Sequence, residues 1–174
     1  QRALQLDRKF KLVWIKLYQL AKQTADSANF SQLALDTLQQ HNYFSWLRRL
    51  LAEHYVNMQQ HADAIQQYEA LLAAGSYTDD VTLYNNLANL YLPTNAATAL
   101  THAETAVRLG PKHAPALDTY GWILSKTGQY QQALAVLRQA HTLDAAAPAA
   151  RFHLAYTLVQ LKRSEEAKLI LQQL

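Results

Sequence analysis

The sequence predicts an all-α fold, a right-handed superhelical solenoid of antiparallel helix pairs, and three observations carry that prediction. The first is an internal echo, in which Tyr120, Gly121, Leu124, Ala133, Leu137 and Ala140 recur at one constant offset as Leu154, Ala155, Leu158, Ala167, Leu171 and Leu174. A fixed period of about 34 residues marks a stacked repeat, each unit burying its apolar face on its neighbours. The second is the spacing inside the unit, where Leu117, Tyr120, Gly121 and Leu124 follow the i, i+3, i+4, i+7 pattern of one helix face. The third is economy of helix breakers: four Gly and four Pro in 174 residues, every Pro in or beside a predicted turn.

The elements follow in chain order within one domain spanning 1–174. Residues 1–7 resemble the end of a second helix, so the chain is expected to begin inside a truncated repeat of a longer protein. Five helix pairs then read as 10–25/30–41, 44–58/61–73, 80–92/96–109, 114–127/130–143 and 148–161/164–174. The first pair is the poorest, resting on Leu17, Leu20-Ala21 and Leu33, with a connection onward about three residues short of the period. In the second, Leu51-Ala52, Tyr55, Ala64, Tyr68 and Leu71 form a good repeat, followed by a Gly-Ser-Tyr-Thr-Asp-Asp linker at 75–80. The third starts on Leu87-Ala88 and Tyr91, but Ala88 lies one position too close to Gly121, while Ala99 keeps the full period to Ala133. The turn at Pro93-Thr94-Asn95 is therefore one residue short. Pro115 opens the fourth pair, where a missing N–H costs nothing, and Gly128 breaks it. Pro148 opens the fifth.

Composition and charge narrow the function classes. The formal net charge is +3, yet residues 1–22 hold six Lys or Arg against Asp7, a net of +5 that leaves −2 for the rest. One basic end without a readable stripe is not the pattern of a nucleic-acid reader. It reads first as a solvated helix face, and second as a contact for an acidic partner or anionic lipid. No stretch approaches the apolar length needed to span a bilayer. With no Cys, disulfides and thiolate metal sites are excluded. The seven His show no i, i+4 pair and no zinc-hydrolase motif, and His54 and His61 are separated by a predicted turn. Neither a phosphate-cradling Gly loop nor a nucleophile elbow is present. Glu165-Glu166 and Asp79-Asp80 are adjacent rather than opposed. No catalytic residue, cofactor or metal is expected.

The repeat resembles the tetratricopeptide repeat (TPR) family, on Leu117, Tyr120-Gly121, Leu124, Tyr130, Ala133, Leu137 and Ala140, with the usual terminal proline present at Pro111 and absent at Ala145. The resemblance implies a concave surface lined by the first helix of each pair, and a peptide or protein bound there. Residues facing away from the Leu/Ala seam are Tyr18/Lys22, Arg49/Glu53, Asn85/Asn89, Asp118/Trp122 and Phe152/Tyr156, with Trp46 and Asn57 at the margins. Asn85 and Asn89 donate and accept at once, which suits an extended backbone. Trp122, Phe152 and Tyr156 form an aromatic wall. Each has a plainer reading. Trp122 and Tyr156 fill gaps between repeats as readily as they meet a ligand, Arg49 and Glu53 read first as an ordinary i, i+4 pair, and Trp14 and Trp46 as packing. A carboxylate-clamp groove is disfavoured, because Asp118 and Thr119 stand where that chemistry needs cations.

A narrower resemblance covers about residues 44–174. The run Leu83-Tyr84-Asn85-Asn86-Leu87-Ala88-Asn89-Leu90-Tyr91 and the run Leu117-Asp118-Thr119-Tyr120-Gly121-Trp122 are similar to the C-terminal repeats of PEP-CTERM system TPR-repeat lipoproteins. Asn89 replaces an aromatic of that family's pattern. The resemblance implies a bacterial cell-envelope or periplasmic lipoprotein parent linked to exopolysaccharide production and protein sorting. The expected function is a non-enzymatic interaction scaffold. Alternatives are terminal structural repeats of a longer scaffold, or a polysaccharide-binding surface on the aromatic wall. Apolar Leu169, Ile170, Leu171 and Leu174, with no following helix to cover them, lead to an expectation of self-association through a terminal repeat.

Overall fold

The computed structural model describes residues 2–23 and 27–172, with side chains from Phe10 in the first helix and from Asn29 in the second. Regular structure among these residues is entirely α-helical: α1 Arg2–Gln23, α2 Ser27–Gln40, α3 Ser45–Asn57, α4 His61–Ala73, α5 Val81–Tyr91, α6 Ala96–Leu109, α7 Ala114–Lys126, α8 Tyr130–Leu143, α9 Pro148–Gln160 and α10 Ser164–Gln172. They fall into two compact units, Gln1–Thr78 with α1–α4 and Asp79–Leu174 with α5–α10. One expectation is corrected at the start. No helix ends within the described part of 1–7; α1 runs unbroken from Arg2 to Gln23. Asp7-Arg8-Lys9-Phe10 contains no Gly, Pro or Asn to stop it.

Three helix starts in the second unit, those of α5, α6 and α7, are set by side-chain caps. The Leu83 N–H donates to Asp80 Oδ1 at 3.0 Å, and the Thr98 N–H to Asn95 Oδ1 at 3.1 Å. At α7 the Ala116 N–H donates to His113 Nδ1 at 3.2 Å. Each satisfies one of the donors that a first turn leaves open.

Three helix-pair turns share one construction. Gln59, Gly128 and Lys162 occupy equivalent repeat positions and have left-handed φ values of 58°, 82° and 60°. The N–H groups of Gln60, Gln129 and Arg163 then donate to Tyr55, Leu124 and Leu158 carbonyls at 2.9, 2.8 and 2.9 Å. This is the six-to-one closure of a Schellman motif. The α5–α6 turn, one residue short, closes differently: the Asn95 N–H donates to the Tyr91 carbonyl at 2.7 Å, and Asn95 has φ −148°. A shorter turn has no place for the left-handed residue.

In the first unit the buried side chains of α1 are Trp14, Tyr18 and Ala21, and those of α2 are Phe30, Ala34 and Leu38. The spacing makes Tyr18 the counterpart of Ala52, one full period on, and the expected shortfall in this pair disappears. Leu17, Leu20 and Leu33, which imitate the repeat signature, are exposed instead. The pattern misleads because large and small have changed places. The second unit pairs Gly121 with Leu137, whereas α1 and α2 carry Tyr18 and Ala34 at the same separation. A Cβ on Gly121 would lie 2.6 Å from Leu137 Cγ, so this helix pair requires glycine there. Around it, Leu124, Ala133, Leu134, Leu137, Leu154, Ala155, Leu158 and Ala167 form one buried cluster. Ile170, expected on an uncovered face of the last helix, packs against that cluster.

Candidate functional site

Asn85, Asn89, Asp118, Trp122, Phe152 and Tyr156 lie on α5, α7 and α9, the first helices of the three pairs in the second unit, and α7 packs against both of the others. Asn89 Nδ2 donates to the Asn85 carbonyl and to Thr119 Oγ1, both at 3.0 Å, so it ties α5 to α7. Asn85 is half-buried, and its Oδ1 is sealed from solvent without a hydrogen bond in the structure. Asp118 Oδ1 lies 2.9 Å from His153 Nδ1, tying α7 to α9.

The aromatic wall is braced by that imidazole. His153 stacks on Trp122 at 4.2 Å and 17° between planes, while Tyr156 meets Trp122 edge-on at 5.1 Å. Phe152 sits 6.0 Å from Trp122 and remains 56% exposed. Lys126 Nζ lies 5.3 Å from the Trp122 ring centre and 5.9 Å from that of Tyr156, a cation–π arrangement. Behind the wall, Ser125 and Thr157 hydroxyls pair at 2.5 Å in the buried layer between α7 and α9. Trp122 and Tyr156 thus pack against each other between α7 and α9, as the plainer reading of them has it.

Sequence reasoning missed His153, Thr119 and Lys126. Two signals point to them: Lys126 is four residues after Trp122 on one helix face, and His153 stands one full period after Thr119. The sequence reading weighs His only as a metal ligand or catalyst, and so passes over an imidazole that orients a ring. Among the described residues no three His, Cys, Asp or Glu side chains converge on a possible metal position, and no helix is long and apolar enough to cross a membrane.

Arg49 and Glu53 belong to the first unit and form a 3.2 Å i, i+4 ion pair. The Arg49 guanidinium also lies 5.1 Å from the Tyr77 ring centre. With Lys11, Ile15, Trp46 and Leu50 these residues line a cleft of about 390 Å³. Trp14 and Trp46 pack against Phe10, and Asn57 Nδ2 donates to the Tyr18 hydroxyl at 2.6 Å. Tyr18, expected on the open face, is buried against Phe30. Burial pushes its phenol above the ordinary value, Glu53 adds to the shift and the Asn57 bond opposes it.

Comparison with known proteins agrees with this architecture. Residues 124–174 match the family model described as tetratricopeptide repeat. No curated protein matches the chain. Among solved structures, MamA from Desulfovibrio magneticus RS-1 is similar at TM-score 0.79 and 13% identity, over 94% of this chain and 92% of that one. A thermophilic TPR protein of Thermus thermophilus gives 0.71 and 19%, over 94% and 89%. YrrB, described as a TPR protein with an unusual peptide-binding site, gives 0.73 and 18%, over 98% and 88%. At these identities the likeness shows the fold: antiparallel helix pairs of the tetratricopeptide type, with residues 124–174 matching the tetratricopeptide-repeat family itself.

Proposed function

We propose that the α5–α7–α9 face of the second unit binds an extended peptide segment of a partner protein, and that the chain is a non-enzymatic scaffold. The observation that carries this reading is Phe152, a ring 56% exposed yet propped by Trp122, whose own orientation is set by His153 and Asp118. A braced, exposed aromatic offers an apolar anchor for such a segment. The peptide-binding site described for YrrB, a protein of like fold, agrees with it.

The test is capture from a Gram-negative envelope extract by the native chain, by Phe152→Ser, and by an Asn85→Ala/Asn89→Ala/Trp122→Ala variant, each checked for helicity. Covering one phenyl ring contributes about 1.5–3 kcal/mol. Phe152→Ser is therefore expected to weaken capture about tenfold or more. Equal capture by all three would move binding elsewhere and favour the reading of terminal structural repeats. The polysaccharide alternative is less well supported, because one face of Trp122 is already occupied by His153. Saturable shifts of the aromatic signals with oligosaccharides would restore it.

Two finer proposals rest on sequence. The 83–91 and 117–122 runs support an envelope lipoprotein parent linked to exopolysaccharide production and protein sorting, and cell fractionation of the full-length protein tests it. Exposed Leu169 and Leu171 on α10 support self-association through a terminal repeat. Leu174, the fourth residue of that expectation, lies outside the described residues. A sharp monomer in concentrated sedimentation runs would remove the proposal.

A further inference from the structure

Asp63, in the first turn of α4, stands at a repeat position whose chemistry is displayed in the second unit. It directly precedes the buried Ala64, as Glu166 of α10 directly precedes the buried Ala167. The other second helices carry Asn29, Thr98 and Gln132 there, so only α4 and α10 present an acid. Two guanidinium groups converge on Glu166. Arg163, in the turn of the same pair, donates from Nε and Nη2 at 2.5 and 2.8 Å. Arg138, on the second helix of the pair before, donates at 3.0 Å.

In the first unit neither cation is present. Gln60 takes the position of Arg163, and Leu35, which follows Ala34 as Arg138 follows Leu137, takes that of Arg138. The Asp63 carboxylate has no hydrogen-bond or ion-pair partner among the described residues. Instead Asp63, Gln60 and Leu35 border a pocket of about 280 Å³, too small for a drug-sized ligand but roomy enough for one long side chain. Tyr55 and Ser31 also line it, their hydroxyls hydrogen-bonded to each other. Burial pushes the Tyr55 phenol above its ordinary value, and the Asp63 charge adds to the shift, as a carboxylate facing the same space must.

The remaining lining suits a cation with an aliphatic stem. Gln32 Nε2 is held by Asp36 Oδ1 at 2.8 Å, which leaves the Gln32 amide oxygen as an acceptor. Leu35 and Met58 supply apolar surface for methylenes. Helices α2 and α4 carry Asp36, Asp63 and Glu69 and no Lys or Arg. The two arginines of α3, Arg48 and Arg49, donate to Gln67 and Glu53. A first-turn carboxylate by itself needs no partner beyond the helix dipole. The pocket beside Asp63 and the doubly engaged counterpart Glu166 call for more.

We propose that this pocket receives an arginine side chain of a partner protein. The guanidinium forks onto Asp63, its other N–H groups meet the Gln32 and Gln60 oxygens, and its stem lies along Leu35 and Met58. The site belongs to the first unit and is independent of the peptide-binding reading of the α5–α7–α9 face.

The test is a nuclear magnetic resonance titration of the full chain with acetyl-Ala-Arg-Ala-amide and with the same tripeptide carrying Lys or citrulline. The Arg tripeptide is expected to shift the Gln32 and Gln60 side-chain amides saturably. The Lys tripeptide should bind more weakly, and the neutral citrulline tripeptide about tenfold more weakly or not at all. Asp63→Asn, its folding checked in the same spectra, should lose the Arg preference. Gln60→Arg, which copies Arg163, should engage Asp63 from within and block the tripeptide. The proposal is overturned if no shift saturates, if citrulline or Lys binds as well as Arg, or if both variants bind unchanged. Tighter binding of free arginine than of the Arg tripeptide would assign the pocket to the amino acid and overturn the assignment to a partner protein.

Discussion

Asp118 and His153 meet between two first helices at 2.9 Å, and the same imidazole stacks on Trp122. The pair is largely shielded, with side chains 15% and 16% exposed. Removing one partner leaves the other short of a hydrogen bond in a partly dry place. Asp118→Ala is expected to cost about 1–2 kcal/mol in urea unfolding, and Asp118→Asn, which keeps an acceptor, less than half as much. An unchanged midpoint in Asp118→Ala would show that the contact does not hold α7 to α9.

Gly121 is required by volume. A Cβ there would meet Leu137 Cγ at 2.6 Å and Cδ2 at 2.8 Å, and Leu137 is fully buried. Gly121→Ala is expected to destabilise by about 1–3 kcal/mol through overpacking. Adding Leu137→Ala should cost less than the sum of the two single changes, because one relieves the other. Strict additivity in the double-mutant cycle would show that the two side chains do not compete for space.

The left-handed turn residues separate conformation from packing. A Cβ at Gly128 would meet nothing within 4 Å, so Gly128→Ala tests the φ of 82° alone. The expected loss is about 1 kcal/mol. Lys162→Gly, at the equivalent turn with φ 60°, should gain a similar amount. Thermal melts read both, and a loss of stability in Lys162→Gly would contradict the assignment.

Glu166 makes the last pair sensitive to acid. Hydrogen bonds from Arg163 hold its carboxyl below the ordinary value; desolvation opposes this, and the charges of Arg163 and Arg138 assist. A depressed folded value means that the unfolded chain takes up the proton first as pH falls. The contribution is thus present above the ordinary carboxylate range and is lost as pH drops through the depressed value. Glu166→Gln should melt below the native chain at neutral pH, with the two converging in acid. A constant difference at every pH would exclude this linkage.

Much of the molecule is legible from local pattern, since the period, the caps and the breakers all act within a few residues. The pairs α3/α4 to α9/α10 lie within two residues of their expected bounds, and the short α5–α6 turn is visible as a spacing deficit. Asn85, Asn89, Asp118, Trp122, Phe152 and Tyr156 are placed on one type of helix by their offset from the Leu/Ala seam. In α1 the same local signal fails, because exposed Leu17 and Leu20 copy the signature while the buried row is Trp14, Tyr18 and Ala21.

The sequence by itself determined the helix-pair repeat and where its helices start and stop from α3 onward, because apolar spacing and turn chemistry are properties of neighbouring residues. Only the tertiary structure decided the register of α1, the partners of Asp118 and Asn89, and which apolar row stays exposed. Those depend on side-chain volumes and hydrogen-bond distances between helices, such as Gly121 against Leu137, which no spacing along one chain segment encodes.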